Sequence, residues 1–535
     1  MCRFCDKTPG SGVPESTPGS SLAAAFRTWF LLLLLAVGSS RLGHAAPALQ
    51  GKLERLREEY AALHAQFAAD MRALAEFCTQ QGFADDAQRI RGLAVPVDQQ
   101  TADIDDLPEK LQPDLPQGLA PVENEWRIRL RALQTEYAKD LYILSRRAIT
   151  EGQPSMAFHW IREVAFHDPD HHQARKALGF VRYEDGWATP FTAERLRSGF
   201  VWHDQFGWIQ QPHVDDYERG RRYYKGKWMS ATREASIRND FRYGWEVLTE
   251  HFEIRTNHSL ERGVELGKAL EDFHQFFVRE FAGFFNTKQQ MQALFNSGSA
   301  DIRGHGRRHT IYYYRTRGEY IAALKRKQSN IEITNGIYMP NDRIAYFYDD
   351  PENPSGLLGT MFHEVTHQLL GESARSIKDV GEHANFWLIE GIACYMESFT
   401  RQGGRLTVGD PLHSRIRWAR IRLLEEEFFI PMARLTVLGR REFQFGSDSE
   451  TLARVYSQVS GMVHFFLHAQ DGVYREAFVE HLSQVYSPDS RVRKRTATLD
   501  QLTGVPFDEL DGQYVEYIKD LPSAVDDTRA AAAPR

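Results

Sequence analysis

Between residues 50 and 92 the apolar positions Leu53, Leu56, Tyr60, Leu63, Phe67, Met71, Leu74 and Phe77 recur at spacings of three and four, which draws one stripe along an amphipathic helix. Such a stripe must be covered, so a partner helix is expected. From Glu123 to Gly179 the pattern is helical again, with breaks at Gly152 and Pro154 and at Asp168-Pro169. The texture changes at Tyr243. Trp245 to Thr256 alternates as a strand does, Ser259 to Phe281 reads as a long amphipathic helix, and His309 to Arg315 is rich in β-formers. Tyr320 to Lys327 predicts a helix, and Ile331 to Tyr338 with Ile344 to Tyr348 predicts a hairpin about Pro340-Asn341-Asp342. After Gly356 the chain is mainly helical to Asp520. The expected class is α+β: a helical N-terminal region, a small tryptophan module, then a mixed sheet followed by a helical lobe.

At 535 residues the chain exceeds one compact core, and its composition shifts suggest where it divides. A helical segment is expected over 47–94. The connection 95–122 carries five prolines and little periodicity and reads as a linker. Residues 123–180 resemble a single tetratricopeptide-like helical hairpin, too few copies for a solenoid, which suits a small packing or partner-docking module. Over 181–240 the segments Gly186-Trp187, Gly207-Trp208 and Gly226-Lys227-Trp228 echo one another, with tryptophans 21 and then 20 residues apart. Tryptophans at regular turns are expected to be the hydrophobic pegs of a short repeat rather than a glycan-binding face. The main domain is expected over 241–522, with an Ala-rich disordered tail over 523–535.

The first 46 residues have the order of a secretory signal peptide: Arg3, Lys7 and Arg27 lead into the apolar run Trp29 to Gly38, and small residues follow at Gly43, Ala45 and Ala46. The apolar run is about half of the ~20 residues a spanning helix needs, so cleavage and export, to the periplasm or outside the cell, are expected rather than a stable membrane anchor. Cys2 and Cys5 would leave with the leader, and Cys78 and Cys394 do not make a disulfide framework. A net charge of −7 gives no reason to expect nucleic acid.

The strongest chemical signal is His363-Glu364-Val365-Thr366-His367 inside a helix-like segment. Histidines at i and i+4 project from one helix face, a separation that tetrahedral Zn²⁺ accepts. Glu364 follows the first of them, where its carboxylate reaches a water activated at the metal without ligating it, the place of a general base. Leu357, Leu358, Met361, Phe362, Val365, Leu369 and Leu370 make this helix apolar nearly all round, and buried His and Glu need partners, of which a metal is the simplest. The expected third ligand is Glu390, 23 positions after His367, on a second helical run that would pack antiparallel on the first. Glu382 and His383 fall in a loop and are weaker candidates.

Glu390-Gly391-Ile392-Ala393-Cys394-Tyr395-Met396-Glu397, some twenty residues beyond the zinc-binding helix, resembles the gluzincin metallopeptidases, with motif likeness to the neutral zinc aminopeptidases. Their equivalent helix starts Asn-Glu-Gly, whereas Ile389 stands here. The likeness covers about residues 245–520. It implies zinc held by His363, His367 and Glu390, and a peptide or protein substrate. It further implies an oxyanion donor about 65 residues after the glutamate ligand, which points to Tyr456. Glu397, two turns beyond Glu390, would orient a ligand imidazole. The likeness also implies an edge strand beside the zinc helix that binds the substrate backbone, with Ile344 to Tyr348 as its equivalent. The Gly-x-Met-x-Asn segment by which aminopeptidases recognise a free amine has no match, so exopeptidase specificity is not implied. The whole chain is similar to secreted bacterial members of the same clan, a likeness that supplies no substrate.

The competing expectation is a secreted binding protein that keeps a gluzincin fold and its zinc for structure, with the helical N-terminal region docking a partner. Retention of Glu364 weighs against it, since structural zinc needs no base. Arg303 to His309 reads as a solvated basic loop, Cys394 as a small buried helix residue, and His464 as a satisfied core histidine.

Overall fold

The computed structural model describes residues 47–95, 107–298, 307–373, 380–402, 405–445 and 448–522. The expected leader, the middle of the Pro-rich connection, most of the basic loop and the Ala-rich tail lie outside these residues. The architecture is α+β, and the chain divides into two compact units, Gly51–Arg315 with Thr400–Thr407, and Thr316–Phe399 with the chain from Val408 onward. Among the described residues no helix is long and apolar enough to cross a membrane.

The N-terminal helices of the first unit are α1 (Pro47–Gln80), α2 (Ala84–Leu93), α3 (Pro121–Glu151), α4 (Pro154–His167) and α5 (His172–Ala177). The stripe expected over 50–92 is two helices, because Gly82 takes a left-handed φ of 86° that ends α1. Leu56, Met71 and Leu74 of α1 share one core with Trp126, Leu141 and Ile161 of α3 and α4, so the helical segments on either side of the Pro-rich connection form one body. Burial of Glu163 in that core is offset by two hydroxyl donors, Tyr137 at 2.6 Å and Tyr60 at 2.9 Å.

The tryptophan module is three antiparallel hairpins, β1/β2 (Val181–Tyr183, Gly186–Ala188), β3/β4 (Phe200–His203, Gly207–Gln210) and β5/β6 (Arg221–Tyr224, Lys227–Ser230), each followed by a short helix. Thr189 and Ser230 cap the first and last of those helices by accepting from the amides of Thr192 and Arg233. The repeated tryptophans are half-buried, with the Arg182 guanidinium 5.3 Å over Trp187 and that of Arg221 5.0 Å over Trp228.

Residues Trp245 to Thr256, expected as one strand, are a hairpin of β7 (Trp245–Leu248) and β8 (Phe252–Thr256), registered Trp245 opposite Thr256 and Val247 opposite Ile254. Trp245, Val247 and Thr249 are buried and then, after a slip of one residue, Phe252, Ile254 and Thr256, so the turn at Thr249 to His251 interrupts the alternation by a single position. Then come α6 (Leu260–Glu280) and β9 (His309–Tyr314), which pairs parallel with β8.

The second unit opens with α7 (Arg317–Leu324) and the hairpin β10 (Gly336–Met339) and β11 (Ile344–Tyr348), whose turn falls at the expected Pro340-Asn341-Asp342. Its helices include α8 (Pro354–Ser373), α9 (Phe386–Met396), α10 (Ser414–Leu424), α11 (Met432–Leu435), α12 (Ser449–His468), α13 (Arg475–Val485) and α14 (Phe507–Asp520). Helix α12 is buried without a break from Val455 to Leu467, as expected of a helix enclosed by others. Gly391 of α9 lies against the Val459 carbonyl, where a Cβ would stand 3.0 Å from the oxygen, and Gly461 admits Ala419 of α10 and Tyr514 of α14. Small residues thus bring three helices onto α12 at close range.

Candidate metal centre

Asn353 starts α8: its side-chain oxygen accepts the Gly356 amide at 3.0 Å, and Pro354 occupies the first helical position, where no amide is needed. The helix buries Leu357, Met361, Phe362, Val365, Leu369 and Leu370 on several faces, and this carries His363 and Glu364 inside with them. Helix α9 starts at Asn385, whose φ of 61° is left-handed, and every residue from Phe386 to Met396 is buried. The two helices run antiparallel, with Gly359 beside Glu397 at one end and His367 beside Glu390 at the other.

The three expected ligand residues converge. His363 Nε2 and His367 Nε2 are 3.2 Å apart, and Glu390 Oε2 is 3.6 Å from the first and 3.8 Å from the second. Two nitrogens each about 2.05 Å from a tetrahedral zinc stand about 3.3 Å apart, so the edges of this triangle suit one ion with little movement. The protonation pattern agrees. Burial acts to raise the Glu397 carboxyl, yet the Arg415 charge and the hydrogen bonds from His363 and Arg415 hold it well below the usual carboxylate range. Glu397 Oε1 can therefore only accept, so His363 Nδ1, at 2.8 Å, is the donor and its Nε2 carries the lone pair that faces His367. Two facing imidazole nitrogens beside a carboxylate form a set that a cation completes. Burial lowers the pKa of His367, which favours the neutral ligating ring, and the His363 and His367 rings outweigh burial at Glu390, leaving its carboxyl at about 2.

Glu364 accepts the backbone N–H of Tyr338 through Oε2 at 2.8 Å. The strand that presents its backbone to Glu364 is therefore β10. The expected equivalent, Ile344 to Tyr348, is β11, where Ala345 to Tyr348 are buried and the partner strand is β10. Gly336 of β10 permits this approach, since a Cβ there would stand 2.7 Å from the Phe347 ring and 3.0 Å from Thr360 of α8.

Arg415, on α10, was not singled out in the sequence. It grips Glu397 with two parallel hydrogen bonds, Nε to Oε2 at 2.8 Å and a terminal nitrogen to Oε1 at 2.7 Å. Cys394 lies in reach of His363 and Glu397. Burial pushes its thiol up to about 12, so it is neutral and a poor ligand. Tyr456 is buried on α12 with its ring edge on Phe443 at 5.6 Å. A second phenol that sequence reasoning missed is Tyr486, just past α13: burial and then the charge of Glu390 push its pKa up. Glu382 pairs with Arg440 at 3.5 Å and His383 is exposed. His464 bonds the Gly409 carbonyl at 2.9 Å and the Tyr517 hydroxyl at 2.7 Å, and burial lowers it to about 4, the state of a satisfied core histidine.

Among the described residues the centre is thus a donor set able to hold a divalent cation, with the Glu364 and Glu397 carboxylates beside it and outside the set. In comparisons with protein-family models, curated proteins and solved structures, the chain matches none of them.

Proposed function

We propose that the chain is an exported zinc-dependent peptidase of the gluzincin type, acting on peptide or protein substrates. The observation that carries this reading is the triangle of His363, His367 and Glu390 with Glu364 at its side. Retention of the Glu364 carboxylate next to the three-residue ligand set, as a group that does not itself ligate, separates a hydrolytic site from a structural one. A zinc ion held by the three residues supplies Lewis acidity, which brings the pKa of water towards about 7 and stabilises negative charge on a carbonyl oxygen.

The residues of the chain do the rest. Glu364 takes a proton from the attacking water and hands it to the departing amine, and the Tyr338 amide fixes one of its oxygens so that the other faces the reaction. Strand β10 offers its outer backbone edge to an extended peptide, which adds as a further strand beside α8. Glu397 keeps His363 in the tautomer that leaves Nε2 free to ligate, and Arg415 keeps Glu397 in place. Tyr456 donates to the developing oxyanion, a role that rests on the family resemblance. Export rests on the N-terminal sequence pattern.

The test compares metal content and cleavage of a mixed peptide library for the parent, Glu364→Gln, and the double variant His363→Ala/His367→Ala. The expected outcome is that the double variant holds one zinc per chain fewer than the parent while Glu364→Gln holds as much as the parent, with cleavage by the parent alone. Equal zinc in all three proteins removes the metal centre. Zinc at the centre with no peptide cleaved by the parent removes the peptidase reading.

A further inference from the structure

A second cluster of donor groups lies in the first unit, where α6 crosses the β7/β8 hairpin. Gly263 and Gly267 face that hairpin so closely that a Cβ would come within 2.9 Å of Val247 Cγ2 and of Thr249 Cγ2 respectively. The helix therefore rests directly on the hairpin, and one and two turns further on Glu271 and His274 meet its turn. The Glu271 carboxylate accepts the backbone N–H of His251 through Oε1 and its ring Nδ1–H through Oε2, each at 2.7 Å. The His274 ring stacks on that of His251, with centroids 3.8 Å apart and planes inclined by 20°. Phe252 stands edge-on to His274 at 6.0 Å, and the His309 ring at the start of β9 is 6.2 Å from it. Ligand atoms of His251, Glu271 and His274 all fall within 4.8 Å of one another.

Beside this pin between turn and helix a second imidazole, that of His274, lies on the first. Two imidazoles and a carboxylate at this spacing form an N₂O donor set, which suits borderline divalent cations better than Ca²⁺ or Mg²⁺, whose preference is for oxygen alone. We propose that His251, Glu271 and His274 bind a borderline divalent cation such as Zn²⁺, independently of the His363/His367/Glu390 centre. A cation would take the place of the proton now held in the 2.7 Å gap between His251 Nδ1 and Glu271 Oε2, and the ring would carry its proton on the other nitrogen instead. Lone pairs in two near-parallel rings do not meet, so His274 turns about χ2 to aim a nitrogen at the cation. Glu250 and Glu271 favour the positive charge. Arg308, whose Nε donates to the Thr249 carbonyl at 2.7 Å, opposes it, which makes the site weaker than a three-histidine one. Occupied, the site clips the hairpin turn to α6 and stabilises this unit by mass action.

The test uses the full chain carrying His363→Ala/His367→Ala, stripped of metal and titrated with ZnCl₂ by calorimetry, with thermal unfolding followed alongside. One zinc per chain and an unfolding midpoint that rises with zinc concentration are expected. Adding His274→Phe keeps a ring on Phe252 and removes the donor, so zinc affinity falls by about 100-fold or more and the midpoint no longer responds. Adding Glu271→Gln, which still accepts from the His251 amide, weakens binding by about 10–100-fold and covers the case in which the phenylalanine variant misfolds. No saturable uptake by the double-alanine chain, or uptake that both additions leave intact, overturns the proposal. If the peptidase reading fails and this one holds, the unmutated chain carries a single zinc that His274→Phe removes.

Discussion

Removing Arg415 tests how the centre is held. The Glu397 carboxylate is largely enclosed, with a side chain 12% exposed, and accepts two charge-assisted bonds from Arg415 at 2.7 and 2.8 Å and one from His363. In Arg415→Met the methionine fills the space of the alkyl stem, and the carboxylate loses both of its guanidinium bonds. Losing one partner of a buried pair costs about 3–5 kcal/mol, because the remaining charge stays desolvated. Glu397→Gln takes the carboxylate charge away from the guanidinium, and its cost falls in the same range. The double variant strands neither charge, so the two costs should fall short of additivity by about 2–3 kcal/mol. Urea unfolding of all four metal-free proteins measures this cycle, and zinc titration of the same proteins reads the effect on His363. Both single variants should bind zinc about 10–100-fold more weakly than the parent, since the orientation of His363 is no longer fixed. Additivity within about 0.5 kcal/mol, or unchanged zinc affinity in both single variants, would refute the reasoning that Arg415 acts through Glu397 on His363.

Two further outcomes follow from packing and from burial. A Cβ at Gly391 would stand 3.0 Å from both the Val459 carbonyl oxygen and Val463 Cγ2, so Gly391→Ala pushes α9 off α12, costs about 1–3 kcal/mol in urea unfolding, and moves Glu390 enough to weaken zinc binding measurably. Burial pushes the Asp511 carboxyl up to about 7, although it accepts the Met432 amide at 3.0 Å. A folded pKa raised above an unfolded value of about 3.9 means a contribution that is fully present below pH ~4 and is lost as pH rises to about 7, amounting to roughly 2–4 kcal/mol. Asp511→Asn keeps an oxygen for Met432 and should flatten stability over that window in parallel pH-dependent unfolding curves. An unchanged slope would mean that Asp511 is ionised at no cost.

What could be read from sequence was what backbone geometry fixes locally. The i, i+4 spacing of His363 and His367 places both rings on one helix face whatever surrounds them, and the apolar run around Glu390 required a buried helix with a partner. The class of the fold and the turn at Pro340-Asn341-Asp342 were legible for the same reason. The boundary inside Trp245 to Thr256 was not, because the alternation slips by only one residue at the tight turn, and the two N-terminal helical segments gave no sign that they share one core across a Pro-rich connection.

The partners that tune the chemistry were decided by tertiary structure alone. Arg415 meets Glu397 from another helix, and the Tyr338 amide meets Glu364 from a strand that only Gly336 lets approach. His251, Glu271 and His274 carry no motif at all. They come together because two glycines allow α6 to lie directly on the hairpin, a contact distance that no periodicity within either element encodes.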